Sequence, residues 1–354
     1  MTLVGEYSIE TFRGDCGALE AMARRAWLDE YGADSYPNLY RPDLVAQLLA
    51  QAGDPELAIA AYRGDEPIGF LLNLPRRMVL RGVERRAALS CSLVVSKECL
   101  RQGIAKAMFA EALERNRRFG FEFTLFYLEA GHTSSKLFET LAANGTPLDR
   151  LKRMHVVARA LDLDAIRASE KLAWYEVAAL RALTLARPPR ATPCPAVREA
   201  RAVDAPRIAE LLDAQSRRAT LGRLWTTAEA RREILAAPLS RALVWERDGR
   251  IDGVLAWISV DHVGRRVVPW AWLNHVCWDA LRFGERRAFL EAFGAAALAQ
   301  GCAGVIEWNK GYYPSAALYA ARFFPYPRQV DFMAWRFGDG FSVAGIPDVA
   351  EIQL

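Results

Sequence analysis

Two copies of one strand–loop–helix pattern, one in each half of the chain, restrict what this sequence can fold into. The four residues ending at Gly103 (Leu-Arg-Gln-Gly) correspond to the four ending at Gly284 (Leu-Arg-Phe-Gly), 181 positions later. Hairpin-type turns also precede both copies, at residues 64–67 and 247–250. A chain of 354 residues is long enough for two domains of ordinary size. The repeat therefore predicts two similar domains in tandem, of the α/β class with a mixed (α+β) sheet.

The first copy predicts a strand that leads into a phosphate-binding turn. Consecutive apolar and β-branched residues indicate a strand over residues 88–95, and a polar loop follows at residues 96–101. A helix then begins near Gly103, because Ile104 and Met108 lie four positions apart on one apolar face. Unpaired backbone N–H groups and the helix dipole both favour negative charge at such a start. This junction therefore predicts a site for a diphosphate group.

The same residues resemble the donor-site motif of the GCN5-related N-acetyltransferase (GNAT) family. In that motif a strand ending in Val leads through a short loop to Arg/Gln-x-x-Gly-x-Gly/Ala at the start of a helix. Val95, Gly103 and Ala105 match the motif, whereas Leu100 stands where the family has its first Arg or Gln. The adjacent Arg101 can supply the missing phosphate contact.

The resemblance implies both a fold and a co-substrate. The predicted order of elements over roughly residues 5–160 is also that of the GNAT family. The implied co-substrate is acetyl-CoA or another acyl-CoA, and no metal is implied. The expected donor-binding residues are Leu93, Val94 and Val95 on the strand, and Arg101, Gln102, Gly103, Ile104, Ala105 and Lys106 at the turn.

The remainder of the chain divides into a connector and a second domain. The predicted boundaries are 1–160 for the first GNAT-like domain, 161–196 for the connector and 197–354 for the second domain. Residues 163–185 are predicted to form one connecting helix. Four prolines within residues 186–196 exclude a helix there and indicate a stiff, extended linker.

The second copy of the motif differs from the first at two positions. Glu285 and Arg286 stand in place of Ile104 and Ala105. A carboxylate repels a diphosphate, and a bulky arginine fills the space that a small residue leaves open. The sequence therefore predicts that the first domain binds the donor and that the second domain has lost this site.

Candidate catalytic groups follow from the chemistry of amide formation, which needs an acceptor for the amine proton. Glu129, at the end of a predicted strand, is the preferred base, and His132 is the next candidate. Phe138 stands where many GNAT proteins have a tyrosine that acts as acid. Cys91 is predicted to be a core thiol rather than a nucleophile, because no base is paired with it in sequence. The carboxylate of Leu354 is a further candidate, since a terminal carboxylate is the base in the GNAT-like N-myristoyltransferases.

The function predicted from these features is transfer of an acetyl or other acyl group from coenzyme A to an amine of a small-molecule acceptor. Two alternatives stay open. One is a tRNA-dependent aminoacyl transferase of the tandem-GNAT type, and the other is a non-catalytic acyl-CoA-binding protein. Departures from the active pattern at Leu100 and Phe138 favour the second alternative.

Composition narrows the choice of partners. The net charge of +4 is small for this length, so nucleic acid is not an expected partner. No run approaches the ~18 apolar residues of a membrane span, and no secretory signal is recognised. The six cysteines have no metal-site spacing and suit a reducing compartment. We therefore expect a cytoplasmic protein with no membrane partner.

Overall fold

The first half of the chain contains most of the elements predicted for a GNAT domain. A computed structural model describes residues 2–4, 7–31, 35–130, 138, 146–189, 194–338, 340, 343 and 345–350. The strands of this half are β1 (Thr2–Val4), β2 (Tyr7–Thr11), β3 (Tyr36–Pro37), β4 (Ala58–Arg63), β5 (Glu66–Leu80), β6 (Val83–Val95), β7 (Phe123–Glu129) and β8 (Leu148–Ala160). Its helices are α1 (Cys16–Tyr31), α2 (Pro42–Ala52) and α3 (Ile104–Arg118). The predicted helix after β7 lies outside the described residues, apart from Phe138.

The second half repeats this order of elements. Its strands are β9 (Val197–Glu199), β10 (Leu221–Arg223), β11 (Ser240–Arg247), β12 (Arg250–Val263), β13 (Val267–Cys277), β14 (Gly304–Trp308), β15 (Phe324–Arg336) and β16 (Val349–Ala350). The main helices from the connector onward are α4 (Leu163–Ser169), α5 (Trp174–Ala182), α6 (Ala205–Arg218), α7 (Phe283–Ala299) and α8 (Ala316–Ala320). A shorter helical segment follows β10, with an α-helical turn at Thr227–Glu229 and a π-helix at Ala230–Leu235. Within the described chain, no helix has the length and apolar character that crossing a membrane requires.

The prediction of a single connecting helix over residues 163–185 is wrong. Two helices, α4 and α5, stand there, and the chain becomes extended at Glu170. The backbone N–H of Arg265 donates to the Ser169 carbonyl at 2.9 Å, and the Ser169 hydroxyl donates to the Arg266 carbonyl at 2.7 Å. These bonds attach the end of α4 to the turn between β12 and β13, and the helix stops there.

Both halves contribute to one mixed sheet. Among the described residues the sheet has sixteen strands, and its main path runs in the order β1-β2-β4-β5-β6-β7-β15-β8-β14-β13-β12-β11-β9. The largest buried apolar cluster also takes side chains from both halves, for example Leu89 on β6 and Trp270 on β13. The fold class predicted from the repeat, a mixed sheet of two GNAT-like halves, is confirmed.

The two halves exchange strands at the centre of this sheet. β7 of the first half pairs with β15 of the second half, and β14 of the second half pairs with β8 of the first half. β8 and β15 pair with each other and so complete the sheet. Each half therefore relies on the last long strand of the other. The boundaries at residues 160 and 197 describe the repeat in sequence, and they stay a prediction.

Helix α3 lies close to the first half of the sheet because a glycine on β5 makes room for it. Ile104, Met108 and Ala112 are all buried, as their spacing predicts. A Cβ on Gly69 would lie only 2.8 Å from the Met108 Cε, which is closer than packed atoms approach. This close packing holds the start of α3 beside the end of β6.

Candidate functional site

Strands β6 and β7 separate at the end nearest α3. They pair in parallel over four residue pairs, of which the last joins Ser90 to Phe126. Beyond that pair, residues 91–95 and 127–129 continue in strands but do not pair with each other. We call this opening the first cleft. Within the described part of the chain, the edge of β6 that faces it has no partner strand.

A β-bulge marks the place where β6 turns away. Phe70 pairs with Val94 and Leu72 pairs with Cys91, so two residues of β6 oppose a single residue of β5. Ser92, within the bulge, has φ of +58°, in the left-handed region that residues other than glycine seldom adopt. Within the described residues, no side chain hydrogen-bonds the backbone of residues 91–95. Among the described residues, therefore, nothing hydrogen-bonds this edge of β6 in the first cleft.

The turn into α3 lies at one end of the first cleft. Gly103 caps the helix with φ of +81°, and a Cβ there would meet no atom within 4 Å. The Ala107 N–H donates to the Gly103 carbonyl at 2.9 Å. The backbone N–H groups of residues 104–106, which come before Ala107 in the helix, have no carbonyl of a preceding helical turn to donate to. Arg101 and Lys106 are exposed on either side of these amides. The turn can therefore hold an anionic group with amides and two cations.

Leu100, the departure from the family motif, is 57% exposed and leaves the turn open. The side-chain amide of Gln102 donates to the backbone carbonyl of Glu98 at 3.1 Å, so it connects the start of the helix to the loop that follows β6. The structure thus brings the nine predicted donor-binding residues together at the bulged end of β6 and the start of α3. Their role stays a prediction.

The two faces of β7 carry different chemistry. Phe126 packs on the α3 side, and its ring centre lies 4.7 Å from that of Phe138. Phe138 is buried there, so no proton donor occupies that position. On the opposite face, the Tyr127 ring lies 4.7 Å from the ring centres of Trp308 and Phe332. This face is the one that the second half covers.

Glu129 lies at the end of β7, beside the first cleft. Its side chain is 34% exposed, and its Oε1 lies 3.7 Å from the Nε of Arg328. A carboxylate in this position can accept a proton from an attacking amine. Glu129 therefore stays the predicted base. The other candidates, His132 and Leu354, lie outside the described residues.

The second half has a corresponding opening, here called the second cleft, but side chains fill it. β13 and β14 stop pairing after Trp272 and Ile306. The Val276 N–H, on the β13 edge beyond this point, donates to the Tyr312 hydroxyl at 3.2 Å. The Lys310 ammonium donates to the Asn274 carbonyl at 3.3 Å. Backbone groups that are open in the first cleft are therefore already bonded here.

A buried ion pair holds these side chains in the second cleft. Lys310 and Glu307 are both fully buried, and the Lys310 Nζ lies 3.0 Å from the Glu307 Oε1. The Tyr313 hydroxyl donates to the same oxygen at 2.6 Å. Removing either charge would leave the other buried without a counter-charge, so the group resists displacement. Sequence reasoning missed it, because Lys310 follows a strand end and resembles a surface loop residue.

The second copy of the turn is closed by its own side chains. Glu285 accepts a hydrogen bond from the Arg282 N–H at 2.7 Å and forms an ion pair with Arg247 at 2.5 Å. The Arg286 side chain donates to the Trp278 carbonyl at 3.2 Å. The carboxylate and guanidinium thus lie where the sequence places them, at the helix start. These contacts support the predicted loss of a donor site in the second half.

Cys91 lies beside the first cleft and is half-buried. Burial raises the pKa of its thiol to about 11, while a hydrogen bond with Ser92 and the charge of Arg76 oppose the rise. The thiol is therefore protonated at neutral pH, which agrees with its predicted role as a core thiol. Among the described residues, no group of three or more metal-ligating side chains could hold a metal ion.

We expect alkylation of Cys91 by iodoacetamide to be slow at pH 8. Its rate should rise about tenfold per pH unit up to roughly pH 11, because the thiolate is the reacting form. Peptide mass spectrometry on the folded protein measures this rate site by site, and the Cys91→Ser variant identifies the peptide. A plateau below pH 9 would show instead an activated thiol.

Comparison with known proteins agrees with this geometry. The model of the acetyltransferase (GNAT) family matches residues 19–142, about a third of the chain. A structure of Saccharomyces cerevisiae N-myristoyltransferase with bound myristoyl-CoA is 14% identical with a TM-score of 0.79, over 99% of this chain and 86% of that one. A second structure of that enzyme, with myristoyl-CoA and inhibitors, is 13% identical with a TM-score of 0.77, over 95% and 81%.

A GCN5-related N-acetyltransferase from Kribbella flavida is also similar in structure. It is 14% identical with a TM-score of 0.53, over 93% of this chain and 70% of that one. No curated protein matches the sequence. The shared architecture extends over nearly the whole chain, well beyond the segment that the family model matches.

Proposed function

We propose that this chain, which carries a GNAT-family domain within a GNAT fold of nearly full length, transfers an acyl group from coenzyme A to an amine. The family match and the fold support an acyl-CoA-dependent acyltransferase as the enzyme class. The observation that carries the assignment is the first cleft, open along β6 and ending at the left-handed Gly103 turn.

In this proposal the donor binds in an extended form. Its diphosphate contacts the amides and cations of residues 101–106, and its pantetheine arm lies along Leu93, Val94 and Val95 as an added strand would. The solved neighbours that hold myristoyl-CoA support an acyl-CoA donor. These neighbours do not determine the length of the acyl chain in this protein's donor, so the test includes acyl groups from acetyl to myristoyl.

The chemistry requires one proton acceptor. The amine nitrogen attacks the thioester carbonyl, and the C–N bond forms as the C–S bond breaks. Glu129 takes the proton from the amine directly or through water, and the departing thiolate takes a proton from solvent. Holding the two reactants together supplies much of the acceleration. The second half closes the acceptor side and contributes no donor site.

The test is thiol release from acyl-CoAs of increasing length, measured with and without a panel of small amines. Amine-dependent release that tracks formation of the N-acyl product supports the proposal. The buried Phe138 favours the competing possibility of a non-catalytic acyl-CoA-binding protein. Tight acyl-CoA binding without turnover across the panel would favour it. Activity that does not depend on added acyl-CoA and is lost on RNase treatment would identify a tRNA-dependent enzyme instead.

A further inference from the structure

Tyr127 lies at the point where the first cleft begins. The last pair between β6 and β7 joins Ser90 to Phe126, so Tyr127 is the first residue of β7 beyond that pair. Its ring is partly exposed, as is Cys91 on β6, whereas Phe126 is 4% exposed and packs on the α3 side. Successive side chains of a strand point to opposite faces, so Tyr127 lies on the face that the second half covers. The surface that can be reached at this end of the first cleft therefore includes the Tyr127 ring.

In the proposed mode of binding, the thioester of the donor lies at this same point. The diphosphate contacts residues 101–106, and the pantetheine arm runs along β6 from Val95 towards Cys91. These five extended residues span about 16 Å, and an extended pantetheine arm has a similar length. Ahead of the thioester, the paired parts of β6 and β7 close the straight path. The acyl chain therefore has to turn to one face of the sheet.

Aromatic side chains fill both faces of the sheet at this point. On the α3 side, the ring centres of Phe126 and Phe138 lie 4.7 Å apart. On the opposite face, the Tyr127 ring centre lies 4.7 Å from those of Trp308 and Phe332, and we call these three side chains the aromatic wall. Rings at such separations are in contact, so no methylene group fits between them. An acyl chain that turns to either face therefore meets packed rings.

The second half holds the aromatic wall in place. Trp308 lies on β14, and its ring centre is 5.9 Å from that of Trp272 on β13. The Trp272 Nε1 donates to the His262 Nε2 at 3.2 Å. Burial, together with the charge of Arg328, lowers the pKa of His262 to about 3, so this imidazole is neutral at pH 7 and can accept the bond. A ring packed against a hydrogen-bonded neighbour resists displacement by an acyl chain.

We propose that the aromatic wall restricts the donor to short acyl groups of about two to four carbons, and that Tyr127 and Trp308 set this limit. An acetyl group ends one methyl beyond the thioester carbonyl and leaves the rings in place. Each further methylene has to displace a ring from its packing. Myristoyl-CoA, which the N-myristoyltransferase structures hold, is then too long for this chain. This inference rests on the proposed function, because it assigns the acyl group of the same donor.

The test compares acetyl-CoA, hexanoyl-CoA and myristoyl-CoA as donors for one amine of the panel. We expect kcat/KM for hexanoyl-CoA to be at least about tenfold below that for acetyl-CoA, because forcing methylenes into a packed core costs that much. Myristoyl-CoA should be a poorer donor still. Thioether analogues with the same chain lengths, which cannot transfer an acyl group, should show the same order of affinity in calorimetry. Use of either longer donor as efficiently as acetyl-CoA would overturn the inference.

Two variants test which residues set the limit. Tyr127→Leu and Trp308→Leu each remove a ring from the aromatic wall but keep an apolar side chain. Each should raise the ratio of kcat/KM for hexanoyl-CoA to that for acetyl-CoA at least about fivefold. This ratio does not depend on how much of the protein is folded. The control is Phe126→Leu, the same change on the α3 side, which should leave the ratio as it is. An unchanged ratio in both wall variants, or an equal rise in the control, would refute the inference.

Binding measurements separate this inference from the proposed function. Coenzyme A without an acyl group does not reach the aromatic wall, so the wild type and both wall variants should bind it equally in calorimetry. Normal binding of coenzyme A with equal affinity for all three thioether analogues counts against the aromatic wall alone. The expected order of affinities without turnover of any donor supports the aromatic wall and counts against the transfer reaction.

Discussion

The Gly103→Glu variant should bind acetyl-CoA at least about a hundredfold more weakly than the wild type. Two effects act together at this position. A carboxylate at the start of α3 repels the diphosphate, and it accepts hydrogen bonds from the same backbone N–H groups that would bind the diphosphate. The backbone φ of +81° also suits glycine, so any side chain there costs about 1 kcal/mol in strain. Calorimetry with acetyl-CoA measures the affinity.

Two control variants separate charge from strain. Gly103→Gln introduces the same size and the same strain without the charge, so it should bind much more tightly than Gly103→Glu. Gly284→Glu places the same carboxylate in the second copy of the turn, where Glu285 already caps the helix start. It should leave the affinity unchanged. If the Gly284 substitution weakened binding as much as the Gly103 substitution, the donor site would have been assigned to the wrong half.

The Glu129→Gln variant should lower kcat by about 10²- to 10⁴-fold, the range that a positioned base contributes. The amide of Gln keeps the shape of the side chain but cannot accept the amine proton. Acetyl-CoA affinity should be unchanged, because the turn at Gly103 holds the diphosphate independently. Initial rates of thiol release and calorimetry on the same preparation measure the two quantities.

The matched control is Asp149→Asn, another carboxylate that pairs with an arginine in the same sheet. Its Oδ2 lies 2.7 Å from the Arg336 Nε, at the start of β8. This change should leave kcat within a few fold of the wild type. Full activity in Glu129→Gln would remove Glu129 from the reaction and direct attention to His132.

Local features of the site could be predicted from the sequence because local interactions determine them. The apolar spacing of Ile104 and Met108, together with Gly103, predicts where α3 begins, and the structure has it at Ile104 with Gly103 as its cap. The hairpin turns and the repeat of strands follow from nearest-neighbour patterns as well. These features depend on residues within a few positions of one another.

The exchange of β8 and β15 could not be predicted in this way. The sequence predicts a strand for both segments. The alternation of apolar and polar residues, however, does not determine which strand each one pairs with. The structure pairs Glu129 with Val330, about two hundred positions along the chain. Such pairings depend on the packing of the whole core. From the sequence alone, two self-contained domains are the simpler interpretation. In the structure, however, β7 pairs with β15 and β8 pairs with β14, across the two halves.

The burial of two charged side chains could not be predicted from the sequence either. Arg76 follows a proline and precedes a second arginine, a pattern typical of a solvated strand, yet it is buried. Lys310 likewise lies after a strand end but forms an ion pair in the interior. Burial of a charge depends on what the distant half of the chain places over it.

A crystal structure of the chain with a non-hydrolysable acyl-CoA analogue tests the central claim most directly. We predict one analogue per chain, with its diphosphate on the amides of residues 101–106 and its pantetheine arm between β6 and β7. Tyr312 and Lys310 should keep their contacts in the second cleft. A diphosphate bound at residues 281–286, or an analogue that avoids both clefts, would contradict the account.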